Sequence, residues 1–264
     1  MENIIEVKNL VKKYGDFTAV NDINFSVKKG EVFAFLGPNG AGKTTSIKML
    51  TTLLNPTSGQ VFLNGHNVTE RKHDTRKSIG IVFQDPSLDN ELTAYENMQF
   101  HAILYGLKKT VYKKRIKDLL ELVELWDRRD SFVKSFSGGM KRRLEIARGL
   151  LHKPAVLFLD EPTIGLDPQT RKHIWDYIYN LNEKEKVTVF FTTHHMEEVE
   201  RMADRIAIID HGKILIIGTI NDILKEAGKD NLEDAFISLT GNKIREEEGN
   251  AKLNQMRISN RLMR

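Results

Sequence analysis

The sequence predicts an α/β fold built around a phosphate-binding loop, and three observations support this prediction. An apolar run at residues 32–36, typical of a buried strand, leads into residues 37–45, which match the pattern G-x-x-x-x-G-K-[ST], and a helical pattern begins at 46–50. Between residues 93 and 151 apolar side chains recur at helical spacing, which predicts a helical insertion in a mixed-sheet core. Apolar runs typical of further buried strands occupy residues 79–83, 155–159, 187–191 and 206–209.

The N-terminal part has a different pattern, in which short strands alternate with turns. Polar and apolar side chains alternate from residue 5 to 10, and turn residues interrupt at 14–16 and 28–30. A turn at 55–59 precedes another strand pattern at 60–65. These short strands predict an antiparallel β subdomain beside the core.

The loop at residues 37–45 contains the residue types that bind the phosphates of a nucleoside triphosphate. Its glycines allow the backbone to curl until successive N–H groups point at phosphate oxygens, at the positive end of the helix dipole. Lys43 then reaches the β- and γ-phosphates, and the Thr44 hydroxyl ligates Mg²⁺. The residues predicted to bind nucleotide here are Gly37, Pro38, Asn39, Gly40, Ala41, Gly42, Lys43, Thr44 and Thr45.

Two carboxylates, Asp160 and Glu161, follow the apolar run at 155–159. A carboxylate at this place holds Mg²⁺ opposite the phosphate loop. Because side chains alternate along an extended segment, we expect the two to point differently, one toward the metal and the other toward an attacking water. A strand ending in Asp-Glu is common, and only the phosphate loop in the same chain favours the catalytic interpretation.

A second candidate phosphate-binding device lies at Ser137-Gly138-Gly139, before a helical pattern that continues to Arg148. Ser137 is a natural N-cap, and the glycines leave the helix N-terminus open to close approach. Taken alone, the segment is also compatible with an ordinary helix start, and this alternative stays open at this point.

Composition limits the remaining possibilities. The 264 residues include no cysteine, which excludes disulfides and thiolate chemistry and is compatible with a reducing compartment. The formal charge of +4 is too small to indicate nucleic-acid binding. No apolar run approaches the ~20 residues of a membrane span, and the first residues do not resemble a secretion signal.

Taken in order, these residues resemble the ATP-binding subunits of ABC transporters, a family with the P-loop NTPase fold. Ser137-Gly138-Gly139 matches the family signature, although Phe136 and Met140 replace its usual Leu and Gln. Other segments match the Q-loop, the D-loop, the switch histidine and the adenine-stacking aromatic residue; these are Gln84, Gly165-Leu166-Asp167, His194 and Tyr14. The resemblance covers residues 4–218.

The resemblance implies an ATP hydrolase that uses Mg²⁺. Two subunits face each other head to tail, so that the phosphate loop of one and residues Ser137–Gly139 of the other enclose each ATP. Lys43 neutralises developing charge, Glu161 polarises water, and His194 contacts the γ-phosphate. Gln84 senses metal and water, and shares the Mg²⁺ site with Thr44 and Asp160.

The sequence resembles that of the daunorubicin-type branch of exporters at three places, which are Met140–Arg148, 192–198 and 232–240. That branch implies a separate multi-span membrane subunit, a homodimer or heterodimer of ATPase subunits, and a location on the inner face of the cell membrane, in the cytoplasm. Its exported substrates include drugs, lipids and polysaccharides. A loop of the membrane partner is expected in a groove near Gln84, with Leu88, Leu92 and Tyr95, unless those apolar residues simply pack in the core.

The expected domain organisation is an ATPase domain at residues 1–240, with the helical subdomain inserted at about 86–151, and a charged, flexible tail at 241–264. The alternative function is a soluble ATPase of the same type that acts on nucleic acid or ribosomes. Relatives in DNA repair carry a long coiled coil, and those on ribosomes carry two ATPase units, neither of which this chain has. A module that binds ATP without hydrolysing it is disfavoured by Glu161 and His194.

Overall fold

A computed structural model of the protein describes residues 2–85 and 87–241. The strands are β1 (Asn3–Tyr14), β2 (Phe17–Lys28), β3 (Val32–Leu36), β4 (Ser58–Leu63), β5 (His66–Asn67), β6 (Ile79–Val82), β7 (Val156–Asp160), β8 (Thr188–Thr193), β9 (Arg205–Asp210) and β10 (Lys213–Gly218). The α-helices are α1 (Lys43–Leu50), α2 (Lys72–Ser78), α3 (Ala94–Leu104), α4 (Lys109–Leu122), α5 (Gly138–Leu150), α6 (Pro168–Glu185), α7 (Met196–Met202), α8 (Ile220–Ala227) and α9 (Leu232–Thr240).

A six-stranded mixed sheet forms the centre of the molecule, with strand order β10-β9-β3-β8-β7-β6. The neighbours from β9 to β6 are parallel, and β10 is antiparallel to β9. Because β3, β8 and β7 are adjacent and parallel, their carboxyl ends share one edge, where Leu36 pairs with Thr193 and Asp160 pairs with Thr192. The topology therefore brings the segments after these three strands together.

A second, antiparallel sheet has the order β2-β1-β4-β5, which confirms the predicted antiparallel subdomain. Side chains of β3 alternate between two cores: Ala34 faces the helical side, whereas Phe33 and Phe35 face the antiparallel sheet. Phe25 of β2 lies 5.8 Å from Phe33 and 6.1 Å from Phe190, between ring centroids. These aromatic contacts join the two sheets.

The regular elements described between β6 and β7 are helical: α3, α4, α5 and the 3₁₀ turns Trp126–Arg128 and Val133–Ser135. Thr93 caps α3 in a capping box with Glu96, and Ser137 caps α5. The helical character agrees with the sequence pattern, whereas a domain boundary at about 86 and 151 stays a prediction. In the described parts of the chain no helix is both long enough and apolar enough to cross a bilayer.

The structure also contains elements that the sequence analysis did not predict, among them α2, α6 and β10. Helix α6 has a clear signal, since Asp167 caps it and Pro168 occupies its first turn. Helix α1 begins at Lys43, within the phosphate loop itself. The predicted flexible tail, apart from Gly241, lies outside the described residues.

Candidate nucleotide site

The phosphate loop connects β3 to α1, as the sequence predicts. Gly42 precedes the first helical residue with φ +107°, a conformation that glycine adopts without strain, and a Cβ there would lie 2.6 Å from the backbone oxygen of Ala19. No side chain caps the helix, so the first-turn N–H groups remain open to an acceptor such as phosphate. Local sequence thus builds the anion-binding geometry.

Lys43 extends its ammonium group over this loop and is only 5% exposed. Its Nζ donates hydrogen bonds to the backbone oxygens of Gly37, at 2.6 Å, and Pro38, at 3.1 Å. The same atom lies 3.5 Å from Oε1 of Glu161. The cation is therefore positioned between the phosphate loop and the carboxylate predicted to be catalytic.

Asp160, at the end of β7, is buried beside two hydroxyl groups. Its Oδ1 accepts a hydrogen bond of 2.6 Å from Thr192 and one of 3.4 Å from Thr44. A carboxylate and a hydroxyl are the hard oxygen ligands that Mg²⁺ prefers, and this ion usually takes few protein ligands beside phosphate and water. Within residues 2–85 and 87–241 no group of three or more His, Cys, Asp or Glu could hold a metal by itself. The donor set therefore fits Mg²⁺ shared with a nucleotide.

Glu161 contacts a different set of groups from Asp160, but not because the chain is extended there. Strand β7 ends at Asp160, and Glu161 has φ +48°, in the left-handed region. Its N–H donates to the backbone oxygen and to Oγ1 of Thr192, at 3.1 and 3.0 Å. The assumption of an extended segment was wrong, and the left-handed turn directs the carboxylate toward Lys43 and His194.

His194 follows β8 and completes this group of side chains. Its Nδ1 lies 3.2 Å from Oε2 of Glu161, yet this nitrogen makes no hydrogen bond, so the contact is one of proximity. The ring also lies 4.2 Å from that of His195, the residue that precedes α7. The structure thus brings together five of the predicted site residues: Lys43, Thr44, Asp160, Glu161 and His194.

The remaining predicted residues contact other parts of the chain. Tyr14 ends β1, and the Lys12 ammonium lies 5.2 Å from its ring centroid. The side chain of Gln84 is exposed, and its backbone oxygen accepts a hydrogen bond of 2.8 Å from Arg142. Ser137 accepts a hydrogen bond of 3.3 Å from the Met140 N–H. A Cβ on Gly139 would lie 2.5 Å from Cγ2 of Thr170 in α6.

Sequence reasoning missed two buried residues that shape the site. Thr192 bonds both Asp160 and the Glu161 N–H. Glu198 of α7 accepts hydrogen bonds from the hydroxyls of Thr163 and Thr193, and so joins the segment after Glu161 to the one before His194. The available signal was the polar end, Thr192-Thr193, of an otherwise apolar buried strand.

A shallow groove of about 220 Å³ lies at the end of α3. Leu92, Phe100 and Leu104 provide its apolar surface, whereas Leu88 and Tyr95 are partly buried against the core. His101 also lines the groove; burial, assisted by Arg148, lowers the pKa of His101 to about 3, so its ring is neutral near pH 7.

Comparisons with known proteins agree with this geometry. Residues 20–164 match the family model described as ABC transporter, and a shorter stretch, 133–200, matches a model of an AAA domain. The chain is 44% identical to the linearmycin resistance ATP-binding protein LnrL of Bacillus subtilis, over 89% of this chain and 75% of that protein. It is 41% identical to the daunorubicin/doxorubicin resistance ATP-binding protein DrrA of Streptomyces peucetius, over 86% and 69%.

Two solved structures extend the comparison to three dimensions. An ATP-binding subunit of an ABC transporter superposes with a TM-score of 0.82 at 31% identity, covering 90% of this chain and all of that one. The ATP-binding cassette MJ0796, solved as a dimer in a post-hydrolysis state with ADP and Pi, gives a TM-score of 0.74 at 29% identity, covering 81% of this chain and 98% of that one.

Proposed function

The chain belongs to the ABC transporter family, as an ATP-binding subunit that hydrolyses ATP, and on this premise we propose that it drives export through a separate membrane-spanning partner. The proposed substrates are drugs, lipids or polysaccharides. The names of the relatives support export, since they include two drug-resistance proteins and a Nod factor export protein of Ralstonia nicotianae. The observation that carries the catalytic part is the contact of Glu161 with both Lys43 and His194.

Each residue of the site has a proposed role in hydrolysis. Glu161 accepts a proton from the attacking water, and Lys43 and His194 contact the γ-phosphate where negative charge develops. Thr44, Asp160 and Gln84 would hold Mg²⁺, which would neutralise charge on the phosphates. Tyr14 stacks on adenine. The buried bond from Thr192 keeps Asp160 in place beside the phosphate loop.

We propose that the complete site needs two subunits arranged head to tail, as a homodimer or a heterodimer. Ser137, Gly138 and Gly139 begin α5, on a segment separate from the phosphate loop, and a helix N-terminus attracts phosphate. In this arrangement they contact the ATP held by the partner subunit. The dimeric form of MJ0796 supports the proposal.

The proposed location is the cytoplasmic face of the cell membrane, where the subunit docks on its membrane partner. The groove beside α3 is the proposed docking surface. Phe100 and Leu104 line the groove and are 59% and 66% exposed, and Ile103, on the same helix, is 59% exposed. Exposed apolar side chains this close together on one helix are of the kind that binds a partner segment. Because Leu88 and Tyr95 are partly packed against the core, the expected contact moves to Phe100 and Leu104.

The decisive experiment replaces the proposed base by an isosteric amide. Glu161→Gln keeps the size of the side chain but removes the proton acceptor, so we expect ATP binding to be retained and kcat to fall by about 10²–10⁴-fold. We also expect an ATP-bound dimer to accumulate, measurable by light scattering. Equilibrium binding of a labelled ATP analogue and steady-state phosphate release give the two quantities.

Glu197→Gln is the matched control, because Glu197 is an exposed glutamate near the same edge, in the first turn of α7. This variant is expected to hydrolyse ATP at the wild-type rate. Wild-type turnover in Glu161→Gln would remove Glu161 from the role of base.

A further inference from the structure

Three charged residues on α5 face the chain segment that carries Gln84. Arg142, Glu145 and Arg148 are spaced by three residues, which places them along one side of the helix. Arg142 and Glu145 are 5% and 1% exposed, and Arg142 Nη1 lies 3.2 Å from Glu145 Oε2. A buried ion pair of this kind requires further hydrogen bonds to offset the loss of hydration.

Those further hydrogen bonds go to Phe83, Gln84 and Ser87, which lie close together in the chain. Arg142 donates to the backbone oxygens of Phe83 and Gln84, the latter at 2.8 Å. Glu145 Oε1 accepts from the N–H of Ser87 at 2.7 Å, and Arg148 donates to the Ser87 oxygen at 2.8 Å. Phe83, Gln84 and Ser87 are therefore all bound to one helix, while the Gln84 side chain stays exposed.

Helix α5 also has contacts at both of its ends that matter for the proposed function. Ser137 caps its N-terminus, which is proposed to contact the ATP of the partner subunit. Ser87 and Arg148 line the groove proposed for the membrane partner. Burial raises the pKa of Glu145 above its usual value, although the Ser87 N–H and Arg142 oppose this rise. Helix α5 thus connects the proposed contact with the partner's ATP, the proposed docking groove and Gln84.

We infer that Arg142 and Glu145 are positioning residues, which hold Gln84 in its place for hydrolysis. The inference rests on the proposed role of Gln84. The guanidinium group is suited to this task, because its planar fork donates to two oxygens at fixed geometry.

The test is a double-mutant cycle of Arg142→Lys with Gln84→Ala. A lysine keeps the charge beside Glu145 but lacks the planar fork with which Arg142 donates to Phe83 from Nη1 and to Gln84 from Nη2, so Gln84 loses its fixed position. We expect kcat to fall by about tenfold or more, since small displacements in an active site are costly, with KM for ATP within about twofold of wild type. In the Gln84→Ala background the same lysine is expected to have little further effect.

Hydrogen exchange supplies a readout that does not depend on activity. In Arg142→Lys without nucleotide, a peptide covering residues 83–89 is expected to exchange at least about tenfold faster, because its backbone is released. Arg143→Lys is the matched control: Arg143 lies next to Arg142 but bonds Val123 and Glu124. This control is expected to leave both kcat and the exchange at 83–89 unchanged.

The outcomes separate the inference from the proposed function. If Gln84→Ala is slow but Arg142→Lys lowers kcat equally in both backgrounds, or if exchange at 83–89 is unchanged, the positioning role is overturned while that of Gln84 stands. Wild-type turnover in Gln84→Ala overturns both. If Arg142→Lys does not fold, the cycle is run with Arg142→Met/Glu145→Met, which removes both charges without leaving one buried alone.

Discussion

Thr192 shows how much a single hydroxyl can organise in this site. The residue is fully buried at the end of β8, and its Oγ1 donates to Asp160 at 2.6 Å while accepting from the Glu161 N–H at 3.0 Å. The first bond holds the proposed metal ligand, and the second supports the left-handed backbone of the proposed base. One side chain therefore sets the relative position of the two carboxylates that are proposed to take part in hydrolysis.

Thr192→Val tests this role with almost no change in volume. The free energy of unfolding should decrease by about 1–3 kcal/mol, because Asp160 and the Glu161 N–H lose a buried partner. We expect kcat to decrease more than tenfold, on the order of the loss caused by a displaced catalytic group. Urea unfolding and phosphate-release assays give the two values.

Thr188→Val provides the comparison, since Thr188 is equally buried on the same strand and accepts a hydrogen bond of 2.9 Å from the Gly30 N–H, far along β8 from Asp160. Thr188→Val should lower the free energy of unfolding without lowering kcat. Equal losses of kcat in both variants would show that the effect of Thr192 is only structural.

Among the elements, the contact between α5 and α6 links the signature segment to the D-loop of the same chain. Asp167 caps α6 by accepting hydrogen bonds from the N–H and the hydroxyl of Thr170, and these bonds lower the pKa of Asp167. The same Thr170 places its Cγ2 in the space where Gly139 lacks a Cβ. The close approach of the two helices thus requires glycine at 139.

Gly139→Ala is expected to force the two helix starts apart and to decrease the free energy of unfolding by about 1–3 kcal/mol, the usual effect of overpacking. Adding Thr170→Ser should restore stability. Serine keeps the hydroxyl that donates to the capping residue Asp167 but removes the Cγ2 that would clash with the new Cβ. Thermal unfolding of the single and double variants measures both effects.

Gly149→Ala is the control on the same helix, where a Cβ would meet Leu157 Cδ1 at 3.4 Å, an ordinary contact. Its melting temperature should not fall. Failure of Thr170→Ser to rescue Gly139→Ala would mean that the packing against Thr170 does not explain the need for glycine.

For the whole molecule, the main consequence of the fold is that one subunit holds, on separate segments, two helix starts that are proposed to bind phosphate. Helix α1 begins at Lys43 and helix α5 begins at Gly138, far apart in the sequence. If each helix start binds a different ATP, a subunit in which one helix start is disabled should complement a subunit in which the other is disabled. Mixing inactive variants tests this arrangement directly.

Lys43→Ala is expected to bind nucleotide much more weakly, and Ser137→Arg is expected to block the contact with the partner's ATP. Each alone should be nearly inactive, whereas the mixture should regain part of the wild-type ATPase rate, because each heterodimer has one intact site. A mixture that remains inactive, although heterodimers form by cross-linking, would exclude hydrolysis at a single shared site.

Docking on a membrane partner is a second proposed property of the whole assembly. Phe100→Glu with Leu104→Glu puts charge on the groove surface, where both side chains are already exposed, so folding and ATP binding should be kept. When the variant is co-expressed with the membrane partner, we expect it to shift from the membrane fraction to the soluble fraction.

Val111→Glu is the control, since Val111 is 51% exposed on α4 and does not line the groove. It should stay with the membranes. Unchanged membrane association of the folded groove variant would show that the docking surface lies elsewhere, and no association of any form would favour the soluble ATPase.

The sequence was informative wherever structure depends on short segments of the chain. The glycine loop between an apolar run and a helix determines the phosphate loop, because backbone freedom and strand burial are local properties. The carboxylates after β7 and the cap at Ser137 follow from the same kind of pattern. The strands near the loop were placed within one or two residues for this reason.

The tertiary structure alone decided which distant residues meet. Thr192 reaches Asp160 across 32 residues of sequence, and Arg142 reaches Gln84 across 58, because strand order and helix packing are set by the whole core. Burial likewise separated Leu88, which packs inward, from Phe100, which stays exposed. The sequence by itself determined that this protein binds and hydrolyses nucleotide, since that chemistry resides in local motifs; long-range packing determined which side chains position them.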